Sequence, residues 1–298
     1  MTRSYVPLVT SLSLLWGSSY LFIKVAGREL EPSTMMLLRV TLAAAVLLGV
    51  LAWRRELGLV RSAPLGAYVL GLLNSAIPFT LIAWGERHID SGLAAVANAS
   101  VPIFAAVLAV RFRPEERPRG QRAVGVVLGL VGVAVLTGAA PGGGWWGVAG
   151  VVAVLLASLS YGASALYGQR LVADVRGPVL STTALIGALV VLLPVGLAQA
   201  PGHLPSAKAL ACVVALALLG TAIAQLIWFR LLRGFGAARS TLVSYLIPAT
   251  ALVYGIVFLH EHVSAGELVG FVLILAGVAL GSGAVRVRRR ALEAVQSP

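Results

Sequence analysis

Charged residues are scarce in this chain of 298 residues. They make up 11% of the sequence, and hydrophobic residues make up 59%, whereas a soluble domain is typically about 25% charged. The mean hydropathy is +0.93. A soluble fold of this length could not bury so much apolar surface, so we expect the surrounding solvent to be lipid.

Acidic residues and cysteine are rarer still. Eleven Asp and Glu stand against 23 Lys and Arg, for a net charge of +12, which could indicate a nucleic-acid-binding protein. The basic residues gather in alternate connections between apolar runs, as they do on the cytoplasmic side of membrane proteins. We therefore expect no nucleic-acid partner. Cys212 is the only cysteine, so an intrachain disulfide is excluded.

Ten apolar runs follow one another, each about as long as the 20 residues that cross a bilayer core as a helix. They cover residues 5–24, 34–53, 66–85, 91–111, 122–139, 147–168, 179–199, 209–230, 238–259 and 265–285. Each run is apolar on every face, which favours helices over the alternating strands of a barrel. The sequence thus predicts an all-α polytopic membrane protein, and the basic residues predict that both termini are cytoplasmic.

The two halves of the chain carry similar sequences. A shift of 146 residues (248 − 102) aligns Pro102 with Pro248, Phe112 with Phe258, Glu115 with Glu261, Gly120 with Gly266 and Asn98 with Ser244. Five runs lie in each half, and because five is odd the second half should enter the membrane in the opposite sense. We place a first five-helix repeat at 1–140, a Gly-rich linker at 141–146, a second repeat at 147–285 and a basic cytoplasmic tail at 286–298.

Several stretches resemble the EamA family of the drug/metabolite transporter superfamily. They are LWGSSYLFIKVA from Leu15 to Ala26, Arg39 early in the second run, SGLAAVANASVPIFAAVLA from Ser91, and the Glu-then-Gly opening of the last run. The resemblance covers nearly the whole chain. It implies a bacterial inner-membrane carrier that exports small metabolites such as amino acids or toxic compounds. Leu185 takes the place of Arg39 in the second half, so any role of Arg39 is not duplicated.

A carrier needs polar side chains around a cavity within the membrane, and an unpaired polar group in lipid costs several kcal/mol. The candidates for lining that cavity are Trp16, Asn74, Asn98, Tyr161, Gln225, Trp228, Ser244 and Tyr245. Asn98 and Ser244 each precede a proline by four residues, which places the side chain and the kink on one helix face. Packing between helices is the alternative explanation for every residue of this set.

Four further residues are candidates for gating or structural roles. Pro78, Pro102 and Pro248 lie inside apolar runs, where proline removes a backbone donor and bends a helix. Arg39 lies about 7 Å below the outer surface at 1.5 Å per residue. It could bind a substrate carboxylate, extend outward to the surface, or pair with Glu31 or Glu86.

The remaining acidic residues and histidines lie near the ends of the runs. Asp90 is expected to cap the fourth run, and Ser264 with Glu267 forms a capping box. His260 and His262 have no further ligand in place, so we expect neither a metal nor any other cofactor. An intramembrane enzyme would need acidic or His groups at depth, so we do not expect an enzyme.

The expected function is transport of neutral or zwitterionic metabolites, because Arg39 is the only charged residue expected within the membrane, the other charges lying at the ends of the runs. The expected partners are the lipid bilayer and a small-molecule substrate. Proton coupling stays open, with only the peripheral Glu86, His88, Glu261 and His262 as carriers. A sugar-phosphate or nucleotide-sugar carrier and a non-transporting membrane scaffold are the alternatives.

Overall fold

A computed structural model describes residues 5–112, 119–138, 144–235 and 243–281. All regular structure in these ranges is helical. The helices are α1 Tyr5–Ala26, α2 Pro32–Trp53, α3 Leu57–Arg61, α4 Leu65–Gly71, α5 Ile77–Gly85, α6 Ser91–Asn98, α7 Val101–Phe112, α8 Gln121–Gly138, α9 Gly144–Asp174, α10 Gly177–Ala198, α11 Ala207–Ala217, α12 Ala224–Phe235, α13 Val243–Tyr254 and α14 Ala265–Gly281. Glu115, residues 141–143 of the predicted linker and the predicted tail at 286–298 lie outside the described residues.

Within the described ranges, three π-helical segments interrupt the α-helices. They are Leu72–Ala76 between α4 and α5, Leu218–Ile223 between α11 and α12, and Gly255–Leu259 after α13. The first two begin 146 residues apart (218 − 72), which is the offset between the two halves of the sequence. Single π turns within α-helices are frequent at functional sites, and nothing in the local sequence predicted them.

The helices are those of a polytopic membrane protein. Among the residues that the structure describes, seven helical stretches are long and apolar enough to cross a membrane: Tyr5–Ala26, Pro32–Trp53, Leu65–Gly85, Ser91–Phe112, Gly144–Gln169, Gly177–Ala198 and Ala207–Phe235. Three shorter apolar helices are Gln121–Thr137, Val243–Leu259 and Ala265–Gly281. The predicted class, an all-helical membrane protein, is confirmed at this level.

The three prolines that were expected to bend helices have different surroundings. Pro78 starts α5 directly after a π segment. Pro102 follows a break between α6 and α7, where the Ser100 hydroxyl donates to the Ala97 carbonyl over 2.6 Å. Pro248 lies inside α13, which continues past it. A proline nitrogen cannot donate to the carbonyl four residues earlier, so one helical hydrogen bond is missing inside α13. Pro102 is the second residue of α7, a position whose N–H would have no partner within its own helix in any case.

Glycines let α8 and α14 approach backbone to backbone. A methyl group placed on Gly277 would lie 2.5 Å from the backbone nitrogen of Gly129, and one placed on Gly132 would lie 2.7 Å from that of Ile274. Gly125 in turn lies beside Gly281. Residue numbers therefore rise along one helix as they fall along the other, so α8 and α14 are antiparallel. Small residues permit such close contact between membrane helices.

The helices α2 and α10 also run antiparallel. The Thr34 hydroxyl, near the start of α2, donates to the Gly196 carbonyl near the end of α10 over 2.7 Å. At the other end, Leu51 and Val179 belong to one buried apolar cluster. This packing places the main core, built largely from α1, α2, α5, α6 and α9, around the polar residues described next.

Candidate functional site

Asn98 is the centre of a polar contact between three helices. Its Nδ2 donates to the Tyr20 hydroxyl of α1 over 2.8 Å. Its Oδ1 lies 3.1 Å from the Ser158 hydroxyl of α9, which shares its one proton between this oxygen and the Val154 carbonyl of its own helix at 3.0 Å. Tyr20 and Ser158 are both buried. Asn98 ends α6 just before the helix break, so its side chain lies where the regular helix stops. The bond to Ser158 joins the first half of the chain to the second.

A second polar contact lies farther along α9. The Ser164 hydroxyl donates to Oδ1 of Asn74 over 3.2 Å, and the Ser160 hydroxyl donates to the Leu73 carbonyl over 2.9 Å. Both acceptors belong to the π segment between α4 and α5, where the regular hydrogen-bond pattern is interrupted. Sequence reasoning missed these serines, although the polar stretch SLSYGAS within an apolar helix was the available signal.

Arg39 is buried among partners from both halves. Its Nε donates to the Thr221 hydroxyl over 2.9 Å, and its guanidinium carbon lies 3.9 Å from the centre of the Phe79 ring. Only 4% of its surface is exposed, so Arg39 does not extend to the membrane surface, which was one of the alternatives left open for it. Arg39 also interacts electrostatically with Tyr20 and Tyr161. It is held by a hydroxyl and a ring face, an arrangement that favours cations.

Arg39 does not pair with Glu31 either, which was another of the alternatives. Glu31 forms a bidentate ion pair with Arg87, in which Nη2 of the arginine lies 2.8 Å from Oε1. Both residues are partly exposed at the same end of the bundle, which is why this pair forms and the deeper Arg39 does not take part. The neighbouring Arg87 lowers the pKa of the Glu31 carboxyl.

The two tryptophan candidates lie together in a neighbouring group. The ring centres of Trp16 and Trp228 are 5.6 Å apart, and both residues pack on a second apolar cluster of Val9, Leu12, Ala224, Leu231 and Val243. Gln225, on the same helix as Trp228, accepts a hydrogen bond from the Ser181 hydroxyl over 3.2 Å. We call Trp16, Trp228 and Gln225 the tryptophan group.

The other three candidates lie at or near these groups. Tyr161, on α9, packs against the main core that holds Asn98 and Arg39. Tyr245, on α13, packs against the same core. Ser244 is its neighbour in the chain and is partly buried. The structure therefore places the candidates in two adjoining regions rather than in one shell.

Glu261 closes one end of the bundle. Its carboxylate accepts hydrogen bonds from the Ser91 backbone nitrogen over 2.8 Å, the Ser91 hydroxyl over 2.8 Å and the Gly92 nitrogen over 3.1 Å. A carboxylate is stabilised at the N-terminus of a helix such as α6. Asp90 was expected to cap this helix, but its side chain makes no capping bond. That prediction is wrong because a carboxylate distant in sequence already holds these N–H groups.

The capping box at the start of α14 is confirmed. The Ser264 nitrogen donates to Oε2 of Glu267 over 2.9 Å, and the Glu267 nitrogen donates to the Ser264 hydroxyl over 3.2 Å. These reciprocal bonds satisfy two donors at the helix start. They also fix the loop that carries Glu261.

Glu86 and Lys24 meet at the same end of the bundle. The Lys24 ammonium donates to the backbone carbonyls of Glu86 and Ile89 over 2.7 and 2.6 Å, and so holds the connection between α5 and α6. The Glu86 side chain is 2% exposed, although its place at a helix end had indicated a peripheral residue. Nearby, the His88 ring stacks on that of Trp146, with centres 5.2 Å apart. Burial and the adjacent Arg87 lower the pKa of His88.

No set of three His, Cys, Asp or Glu side chains in the described ranges is grouped closely enough to hold a metal ion. What the site offers instead is hydroxyl, amide and aromatic groups buried between apolar helices. Such groups bind small ligands by hydrogen bonding and ring contacts.

Known proteins similar to this chain are transporters. The model of the EamA-like transporter family matches residues 3–138 and again residues 148–283. The chain is 29% identical over 286 residues to the "uncharacterized inner membrane transporter YedA" of Escherichia coli, covering 93% of this chain and 91% of that protein. It is 31% identical over 284 residues to the "probable terminal-alkyne amino-acid exporter" of Streptantibioticus cattleyicolor, covering 92% of each.

A third relative is also named as a transporter, and a solved structure has a similar fold. The chain is 25% identical over 301 residues to the "probable amino-acid metabolite efflux pump" of Salmonella typhimurium, covering 98% of this chain and 99% of that one. A solved crystal structure with 20% sequence identity superposes with a TM-score of 0.69, covering 97% of this chain and 100% of the other. That likeness shows the fold.

Proposed function

The chain belongs to the EamA-like transporter family, and we propose that it is an inner-membrane carrier that exports small neutral or zwitterionic metabolites by alternating access. Relatives named as an amino-acid exporter and an amino-acid metabolite efflux pump support amino acids or related compounds as substrates. The relative named as an inner membrane transporter supports the location.

We propose that the carrier consists of ten spans in two inverted five-helix repeats. The seven long stretches and three shorter apolar helices supply ten candidates. The family model matches once in each half. The helices α8 and α14 are the last of their repeats and pack antiparallel through Gly129 and Gly277. Equivalent helices that run in opposite directions are what an inverted repeat requires.

The observation that carries the proposed site is the bond between Asn98 and Ser158. It joins two uncharged polar side chains, one from each half of the chain, within apolar helices where lipid offers no hydrogen bonds. Rocking of one half against the other would separate this pair and free both groups for a substrate. Asn98, Asn74 and their serine partners offer donors and acceptors without charge, as suits amino or hydroxyl groups of a small metabolite.

Arg39 supports a neutral or zwitterionic substrate over a sugar phosphate. Its guanidinium is already engaged by Thr221 and Phe79. In the tryptophan group, the ring faces of Trp16 and Trp228 could hold a substrate ammonium by cation–π contact. Pro78, Pro102 and Pro248 mark the places where the helices would bend as the halves move.

Counterflow into liposomes tests this function, with a panel of amino acids, sugars and cationic drugs. Asn98→Ala should reduce counterflow of each accepted substrate about tenfold, the effect of losing about 1.4 kcal/mol of hydrogen bonding. Thr137→Val is the matched control, because the Thr137 hydroxyl donates to the Val133 carbonyl of its own helix. Wild-type counterflow of no compound in the panel, or equal rates in the two variants, would count against the proposal.

A further inference from the structure

Glu86 is a buried carboxyl group that receives no hydrogen bond from the part of the chain that the structure describes. Its surface is 2% exposed, and neither carboxylate oxygen has a hydrogen-bond partner among the residues that the structure describes. It directly follows α5, where the negative end of the helix dipole disfavours a second negative charge. A buried carboxylate without partners is expensive, and such groups usually become neutral instead.

The charged and titratable groups that face Glu86 come from three elements. Lys24 and Tyr20 belong to α1, Arg39 belongs to α2, and Glu261 belongs to the loop before α14. The two cations favour the ionised form of Glu86, while Glu261 disfavours it. The Lys24 ammonium, however, donates its short hydrogen bonds to backbone carbonyls and not to the Glu86 carboxylate.

The packing around Glu86 excludes water in this conformation. From α9, Gly150 and Val154 press against Gly85 and bring no charge to it. Burial therefore decides the balance, and the pKa of Glu86 is raised well above its ordinary value of 4.5. The carboxyl is protonated well into the range where an exposed carboxyl is ionised.

Glu86 also lies near the proposed substrate site. A charge on Glu86 would be within electrostatic range of Tyr20, whose hydroxyl accepts the hydrogen bond from Asn98. On its other side lies Glu261, whose bonds to Ser91 and Gly92 close this end of the bundle. Movement that opens this end would admit water to Glu86 and to the Asn98 contact together.

We propose that Glu86 is a proton-binding site whose occupancy is linked to closure of this end of the carrier. In the closed conformation the carboxyl keeps its proton. On opening, its O–H bond breaks, the proton passes to the entering water, and the carboxylate is left solvated beside Lys24. The coupling to substrate movement rests on the proposed function, whereas the proton site itself does not.

The sign of the pH dependence follows from proton linkage. The closed conformation binds more protons than the open one at pH values between the two pKa values of Glu86. Opening is therefore favoured as the pH rises, by up to tenfold for each pH unit. Below the ordinary carboxyl range both conformations hold the proton, and the dependence vanishes.

Infrared spectroscopy of the purified protein in liposomes tests the proton site without any substrate. The C=O stretching band of protonated carboxyl groups should persist above the ordinary carboxyl range and lose one component in Glu86→Gln. Glu31→Gln, at the same end of the bundle, is the control and should keep that component. Asp90, whose pKa is also raised by burial, is present in both variants, so any band that it contributes is the same in both. Glu86→Asp, which should shift the component, replaces Glu86→Gln if the latter does not fold.

Counterflow as a function of pH then tests the linkage. We expect the wild-type rate to rise with pH above the ordinary carboxyl range, and that of Glu86→Gln, which mimics the protonated state, to stay low and flat. Identical infrared spectra or identical pH profiles for Glu86→Gln and the wild type would overturn the proton site or its linkage. If the band is lost but no compound is transported, the proposed function fails and the proton site stands.

Discussion

The Nε atom of Arg39 lies 2.9 Å from the hydroxyl oxygen of Thr221, and both residues are buried. The Thr221 hydroxyl accepts this bond and donates its own proton to the Leu216 carbonyl over 3.1 Å. Thr221 belongs to the π segment between α11 and α12. A cation of the first half is thus held by an irregular helical turn of the second half.

Thr221→Val should therefore destabilise the protein. The substitution keeps the shape of the side chain but removes the acceptor for a buried cation, a bond worth about 1.5–3 kcal/mol. The measurement is the thermal unfolding midpoint in detergent. Thr183→Val is the control, because the buried Thr183 hydroxyl donates to carbonyls of its own helix, those of Val179 and Leu180. An equal loss of stability in both variants would show that Arg39 gains nothing from Thr221.

The close contact of α8 with α14 predicts that two glycines tolerate substitution by leucine very differently. Gly277→Leu should unfold the bundle or prevent its assembly, because even a methyl group there would lie 2.5 Å from the backbone of Gly129. Overpacking typically costs about 1–3 kcal/mol and more when backbones must separate. Gly49→Leu, in α2, is the matched control, since nothing lies within 4 Å of a methyl group at that position. The measurement is the yield and monodispersity of each purified variant in detergent. Similar values for Gly277→Leu and Gly49→Leu would contradict this packing.

The sequence allowed the membrane-protein class and several polar positions to be predicted, because both depend on composition and local pattern. Long apolar runs predicted an all-helical membrane protein, and an asparagine inside an apolar run is unusual enough to single out Asn74 and Asn98. The capping box of Ser264 and Glu267 was predictable for the same reason, since its two members are three residues apart.

Partners distant in the chain were not predictable. Asp90 has the right position to cap α6, but Glu261 takes that role from 169 residues away from Gly92. Glu86 was assigned to the periphery because it ends a helix, whereas its burial depends on how α1, α2 and α9 pack around that end. Hydrophobic periodicity in the sequence indicates which face of a helix is buried. It does not indicate which neighbouring helix covers the end of that helix.

The inverted repeats can be tested by the accessibility of single cysteines. Cys212→Ala provides a cysteine-free background. Ser62 follows α3 in the first half, and His203 lies between α10 and α11 in the second half; both are exposed. With cytoplasmic termini, a membrane-impermeant maleimide added to intact cells should label His203→Cys and leave Ser62→Cys unlabelled until the membrane is permeabilised. Labelling of both from the same side would exclude opposite orientations of the two halves.

Substitutions at Gln225 and its partner Ser181 distinguish a substrate-binding role of Gln225 from a structural one. Its amide oxygen accepts a hydrogen bond from the Ser181 hydroxyl of α10 over 3.2 Å. On the same helix, Trp228 contacts Trp16. If the amide contacts the substrate, Gln225→Ala should lower counterflow about tenfold, as the loss of one hydrogen bond would. Ser181→Ala keeps the amide and should then have a small effect.

The opposite pattern would assign Gln225 to packing. A residue whose role is only to join α12 to α10 loses the same bond whichever partner is removed, so Gln225→Ala and Ser181→Ala would lower thermal stability and counterflow alike. Measuring the unfolding midpoint of both variants alongside their rates distinguishes the two roles. A fall in rate for Gln225→Ala alone, with unchanged midpoints, would extend the substrate path from Asn98 to the tryptophan group.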